Sequence, residues 1–190
     1  MLIIFKKTFF FLFYFTNVLH FYIKGLLISK TKVIFSIMRS NLIYIITFLK
    51  YNLLAGFSSL LDIIVVDNIN LNHHRFELTY IFLNIYYGYR LGIKLYTTQL
   101  NGIISISHLF ENANWLEREI WDMFGIKFLM HPNLCRILTD YGFKGYPLRK
   151  DFPLSGYIDL LYDNSLQLMH YLPVEFAQNM RFFNLVNPWN

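Results

Sequence analysis

The sequence predicts an α/β protein of the α+β type: a two-layer domain with a small, mostly antiparallel sheet and packed helices, followed by an extended C-terminal arm. Three observations lead there. Apolar residues recur at helical spacing from Leu42, stretches from Leu60 onward read as strands, and Gly and Pro crowd into residues 125–156.

Leu42, Ile45, Ile46, Leu49, Leu53 and Leu54 line one face of a 3.6-period helix, with Gly56 as a stop. Leu60-Leu-Asp-Ile-Ile-Val-Val66 is short, rich in β-branched residues and ends in the turn-like Asp67-Asn-Ile-Asn-Leu-Asn72. Phe76, Leu78, Tyr80 and Phe82 alternate with Glu77 and Thr79, and both faces then turn apolar, as a central strand requires. Tyr87-Gly88-Tyr89 connects to a further strand in which Leu91, Ile93 and Leu95 alternate with Gly92, Lys94 and Tyr96. A three-strand meander follows from these spacings. A second helix spans Asn112 to Phe124. Asn112 or Asn114 caps it, Glu117 and Glu119 favour its early turns, Arg118 and Asp122 have i,i+4 spacing, and Gly125 ends it.

Residues 125–156 hold four of the nine Gly and three of the five Pro. Pro132, Pro147 and Pro153 force their preceding residues out of the α region, so the segment is extended and turning. Such a segment cannot satisfy its own backbone polar groups, and a partner is expected to supply them.

Charge divides the chain unevenly. Lys and Arg number 17 against 12 Asp and Glu, a net +5, yet residues 1–50 hold seven basic residues and no acid, and the first carboxylate is Asp62. Phe, Tyr, Met, Ile, Asn and Lys make up 88 residues, whereas Gly, Ala, Arg and Pro make up 24. That bias marks an AT-rich genome such as an organelle's. It inflates the 55% hydrophobic content, so the mean hydropathy of +0.37 is no membrane signature by itself. Disorder is excluded by the high apolar content and low net charge. The single Cys135 excludes a disulfide framework and any Cys-built zinc or iron–sulfur site.

Thr8 to Ile23 offers 16 mostly apolar residues interrupted by Asn17 and His20. A spanning helix needs about 20. Three readings of this segment stand: burial against a protein partner, contact with or insertion into a membrane, and targeting.

Catalytic chemistry finds little support. Glu117 and Glu119 lie about 200° apart on a helix and cannot share a substrate. His131 and Cys135 are four apart without a second ligand pair, and neither phosphate-binding glycine motif occurs. Gly142-x-x-Gly145 with the basic start suggests an RNA-binding module, but its flanking charges are mixed.

The run Asn114-Trp-x-Glu-Arg-Glu-x-x-Asp-Met-Phe-Gly-Ile126, then His131-Pro, then Arg136-Ile-Leu-Thr-Asp-Tyr-Gly-Phe-x-Gly-x-Pro-Leu-Arg-Lys-Asp-Phe-Pro153, resembles the signature of the NADH dehydrogenase subunit 9 family. This is the family of the 30-kilodalton subunit of mitochondrial respiratory complex I, and it extends to bacteria. Weaker agreement covers Asp62 to Asp67, Arg75-Phe-Glu-x-x-Tyr80 and Pro173-x-Glu-x-x-Gln178, and residues 1–45 show none. Cys135 stands where the family has the first Arg of a pair, and Met130 where it has Gly. Asp159 replaces a Glu, and Leu172 an acid.

The resemblance implies a structural subunit, peripheral on the matrix side of the mitochondrial inner membrane, that supports transfer from NADH to quinone without catalytic residues, metal or cofactor of its own. FMN, iron–sulfur clusters and ubiquinone would belong to partner subunits. The chief partner would be the quinone-pocket subunit of the 49-kilodalton type, and nucleic acid is not expected. Interface residues implied are Trp115, Glu117, Arg118, Glu119, Asp122, His131, Arg136, Asp140, Tyr141, Arg149, Lys150 and Asp151. The expected organisation is an N-terminal extension over 1–45, with membrane or lineage-specific contacts, an α/β domain over 46–130 and a docking arm over 131–190. The alternatives are an organellar RNA-binding module or a small membrane-anchored protein.

Overall fold

A computed structural model describes residues 14–28, 33–69, 74–178, 181 and 183, which divide after Lys150 into two compact units. Most of the aromatic run that begins at Thr8, the turn residues 70–72 and the last residues of the chain lie outside the described residues.

The first unit is built on a five-stranded sheet. Its strands are β1 (Ile23–Ile28), β2 (Val33–Ile37), β3 (Ser59–Asp67), β4 (Phe76–Asn84) and β5 (Tyr89–Thr97), in the order β1-β2-β5-β4-β3. The β3–β4–β5 meander is antiparallel throughout, as its spacing required. Phe76, Leu78, Tyr80 and Phe82 oppose Thr97, Leu95, Ile93 and Leu91, and these residues all face the core. A register shift between Leu60 and Asp62 brings both Leu60 and Ile63 inward, as one extra residue in a strand does.

The sheet crosses the boundary expected at residue 45. Strand β2 pairs in parallel with β5, Val33 against Leu91 through Ser36 against Lys94, and β1 is antiparallel to β2. Close approach there depends on Gly92, because a Cβ would meet Ile34 Cγ1 at 3.0 Å. Phe35 and Ile37 are fully or almost fully buried, and so are Phe15 and Leu19. The Phe15 ring meets Phe48 edge-on at 5.8 Å, so this part of the aromatic segment is buried by its own chain. Alternation was hard to see in β1 and β2 because nearly every residue there is apolar. Among the described residues, no helix is long and apolar enough to cross a membrane.

Helix α1 (Leu42–Tyr51) buries Leu42, Ile45, Ile46 and Leu49. It stops before Leu53 and Leu54, which are exposed, contrary to the expected stripe. Asn52 is the cause: its Oδ1 accepts N–H bonds from Leu54 and Ala55, a local turn that competes with the helix. Helix α2 (Ala113–Phe124) packs against β3, and β6 (Ile103–Ile104) and β7 (Phe128–Leu129) form a short parallel pair.

The second unit is a β-hairpin, β8 (Ile158–Asp163) and β9 (Leu168–Pro173), where an extended arm was expected. Asp163 organises its turn by accepting from Ser165 N and Oγ at 2.8 and 2.6 Å. These bonds hold the Asp163 carboxyl below the usual carboxylate range.

A candidate interaction site around helix α2

Helix α2 carries its charges on both sides, and two of them are fully buried. Glu117 accepts from Ser105 Oγ at 2.5 Å and from Ile106 N at 2.8 Å, joining the helix to the β6 loop. His131 lies beside it, Nε2 to Oε2 3.8 Å, with that nitrogen also 3.2 Å from the Asn114 carbonyl. Asn133 N donates to His131 Nδ1, which leaves Nε2 to carry the proton. Burial pushes the Glu117 carboxyl up to about 7, against the opposing pull of its two hydrogen bonds. Tyr80, whose buried hydroxyl has no hydrogen-bond partner among the described residues, is raised well above the usual phenol range, first by burial and then by the charge of Glu117.

Asp122 does not pair with Arg118 as the i,i+4 spacing suggested. Its Oδ2 accepts from the backbone of Ile137, Leu138 and Thr139 at 3.2, 2.7 and 2.9 Å, and its Oδ1 accepts from Thr139 Oγ1 at 2.7 Å. Burial alone would raise this carboxyl, but the four bonds hold it below the usual carboxylate range. Arg136 sits 3.7 Å from Asp122 and donates to the Phe143 and Gly145 carbonyls at 3.1 and 2.8 Å. Side chains of this chain thus satisfy backbone groups that were expected to need a partner.

The C-terminal end of α2 is closed by residues 146–149. Gly125 adopts φ 71°, and a Cβ there would come within 2.5 Å of both Tyr146 and Arg149. Arg149 Nε donates to the Phe124 carbonyl at 2.6 Å while its guanidinium covers the Tyr146 ring at 4.3 Å. A cation at this position also meets the negative end of the helix dipole. Lys150 N donates to Asp67 Oδ2 at 2.9 Å, and Arg75 holds the same buried carboxylate with two bonds of 2.8 and 2.7 Å. The end of the segment is thereby tied to the base of the β3–β4 pair.

Twelve residues were expected at an interface, and the structure separates them. Glu117 and Asp122 are buried in this chain, the His131 side chain is buried beside Glu117, and Arg136 and Arg149 are half-buried against carbonyls and rings. Trp115, Glu119, Asp140, Tyr141, Lys150 and Asp151 are exposed, Trp115 by 64% and Tyr141 by 99%. Half-buried Arg118 covers the Trp115 ring at 5.1 Å and donates to the Cys135 Sγ at 2.8 Å. Asn112 is not a side-chain cap; its Nδ2 donates instead to the Leu60 carbonyl. Ser105 and Asp67 were missed as organisers, since a lone Ser or a strand-ending Asp has no local signature of a distant partner. Among the described residues, no group of three or more His, Cys, Asp or Glu could hold a metal ion.

A two-layer α/β domain that fixes its own loops with buried acids, and presents Trp and Tyr outward along a helix and the segment after it, is a building block of the kind found in multi-subunit assemblies. Residues 35–158 match the model of the family described as respiratory-chain NADH dehydrogenase, 30 Kd subunit, and the chain belongs to that family. It is 44% identical to NADH-ubiquinone oxidoreductase subunit 9 of Acanthamoeba castellanii over 171 residues, covering 88% of this chain and 86% of the relative. The like-named protein of Reclinomonas americana is 40% identical, again over 88% of this chain, and covers 82% of its own length. Among solved structures, the trypsin-resistant fragment (1–134) of Nqo5 is 26% identical with a TM-score of 0.51, over 58% of this chain and 91% of the fragment. A chain of an archaeal membrane-bound sulfane sulfur reductase shares the fold at TM-score 0.62 and 22% identity, over 73% of this chain and 83% of that one.

Proposed function

We propose that this protein is a structural subunit of the peripheral arm of proton-pumping NADH:ubiquinone oxidoreductase, which supports the quinone-binding module without carrying out electron transfer itself. In this reading FMN, the iron–sulfur clusters and ubiquinone are held by other subunits, chiefly the quinone-pocket subunit of the 49-kilodalton type for the last. The subunit would sit on the matrix side of the mitochondrial inner membrane.

Family membership supports the assembly, and one structural observation supports the docking role. One face of the β8–β9 hairpin carries Ile158, Leu160, Tyr162, Met169 and Tyr171, each between 42% and 64% exposed and none charged. An isolated two-stranded ribbon is marginally stable in water, and an uncharged apolar face of this kind calls for a protein cover. The exposed residues Trp115, Glu119, Asp140, Tyr141, Lys150 and Asp151 form the second contact region in this proposal, held in place by Arg118, Arg136, Arg149 and the buried pair of Glu117 with His131.

The test separates assembly from turnover. Arg149→Ala is expected to reduce the amount of assembled complex, measured on native gels, more than the NADH:quinone turnover of each assembled complex. Normal assembly with lost turnover would give Arg149 a direct part in quinone chemistry and overturn the structural reading.

A further inference from the structure

At the end of the sheet where the parallel strands β2 and β5 both finish lies a cavity of about 440 Å³. Crevices beyond the carboxyl ends of parallel strands are where open α/β sheets commonly bind ligands, and this volume suits a small organic molecule. The lining is unusual in charge. Lys24 enters from β1, Arg39 from the turn after β2, and His74 from the segment just before β4, and Ser36, Ser40 and Tyr96 add hydroxyl-bearing side chains to the lining. Among the described residues, no carboxylate lines the cavity. The neighbouring acid on β4, Glu77, is engaged by Lys94 at 2.5 Å, and the first turn of α1 brings no acid.

These three side chains have little to do inside the chain. Arg39 gives one of its donors to the Gly102 carbonyl at 3.1 Å and retains the rest of its fork. Lys24 has no ion pair or hydrogen bond among the described residues, and His74 meets only the Tyr96 ring, 6.3 Å between centroids. Lys24 and Arg39 thus bring two positive charges to one cavity from separate elements. An anion bound between them would be attracted by both charges at once.

We propose that this cavity binds a phosphate-bearing ligand. A phosphate offers acceptor oxygens in several directions and takes charge-assisted bonds from Lys and Arg together, whereas one flat carboxylate meets a single fork. The cavity is larger than a phosphate alone, so an organic body occupies the remainder beside Tyr96 and Met38. Two sources share this chemistry, a free phosphate compound and a phospholipid headgroup. The exposed Phe21 and Tyr22, just before Lys24, make the lipid worth testing directly.

The full chain is titrated with inorganic pyrophosphate at constant ionic strength, and separately sedimented with vesicles of phosphatidylglycerol in phosphatidylcholine. Lys24→Glu is the first variant, since its side chain bonds to nothing else among the described residues, and His74→Gln is the second. The proposal expects saturable binding in at least one arm, weakened about tenfold or more by Lys24→Glu and several-fold by His74→Gln, with an unchanged unfolding temperature. Pyrophosphate binding without vesicle binding identifies a free phosphate compound; vesicle binding competed by pyrophosphate identifies a headgroup. Binding that is equal in wild type and Lys24→Glu, or reproduced by chloride at the same ionic strength, overturns the proposal. Absence of binding in both arms overturns it too, as does cross-linking of Lys24 to an acidic segment of a neighbouring subunit in the assembled complex.

Discussion

Glu117 makes the stability of the folded chain depend on pH. Its carboxyl titrates at about 7 in the folded state and near 4.5 when unfolded, so the folded state binds the extra proton between those values. Stability is therefore full below pH 4.5 for this group and declines as pH rises to 7, by roughly 3 kcal/mol. Glu117→Gln keeps the Ser105 and Ile106 contacts within reach without the charge. Urea unfolding of the variant between pH 5 and 7.5 should lose most of this slope, and an unchanged slope would assign it to another group. Met130 is the second informative position. It adopts φ 62° and is 89% exposed, a left-handed backbone without a packing reward for its side chain. Relief of that strain outweighs the chain entropy of glycine, so Met130→Gly should stabilise the protein by about 0.5–1 kcal/mol in denaturant melts. The position where the family pattern has Gly is thus one where the backbone asks for it.

At the scale of elements, α2 acts as a post to which loops are tied: the β6 loop through Glu117, residues 137–139 through Asp122, and residues 146–149 through its C-terminal carbonyls. Asp122→Ala removes the acceptor of four bonds at once, and a loss of about 3 kcal/mol is expected from thermal or urea unfolding. Protease cleavage should then appear first within residues 133–145. The helix itself was legible in the sequence, with its Gly125 stop, because 3.6-residue periodicity and left-handed termination are local properties. So were β3, β4 and β5, whose alternation survives the biased composition. The loop ties were not legible, because Asp122 and Ile137 meet only after the chain has turned at His131-Pro132. Nor were β1 and β2: a strand in which nearly every residue is apolar has no period, and partner choice in a parallel pair is made across many residues. The hairpin had one readable mark, Asp163-Asn-Ser165 between two apolar runs, which is a turn signal.

At the scale of the molecule, the hairpin offers two unlike faces. One carries Ile158, Leu160, Tyr162, Met169 and Tyr171; the other places Asp159, Asp163 and His170 among leucines. If the uncharged face is the docking face, Leu160→Glu should lower incorporation into the assembled complex several-fold, whereas Leu161→Glu on the opposite face should change it little. Native-gel quantification of both variants against the free chain checks this, and equal effects would remove the distinction between faces. The mixed sheet has a further consequence, for the order in which the protein acquires its structure. As synthesis proceeds, the β1–β2 pair leaves the ribosome early, but its place is beside β5, and β5 must first be paired through β4. Contacts between distant parts of a chain close slowly, because loop entropy is lost before they form. Until Leu91 arrives to meet Val33, a ribbon of Leu and Ile residues waits with an open edge, and that interval is when a nascent chain of this fold most needs a chaperone.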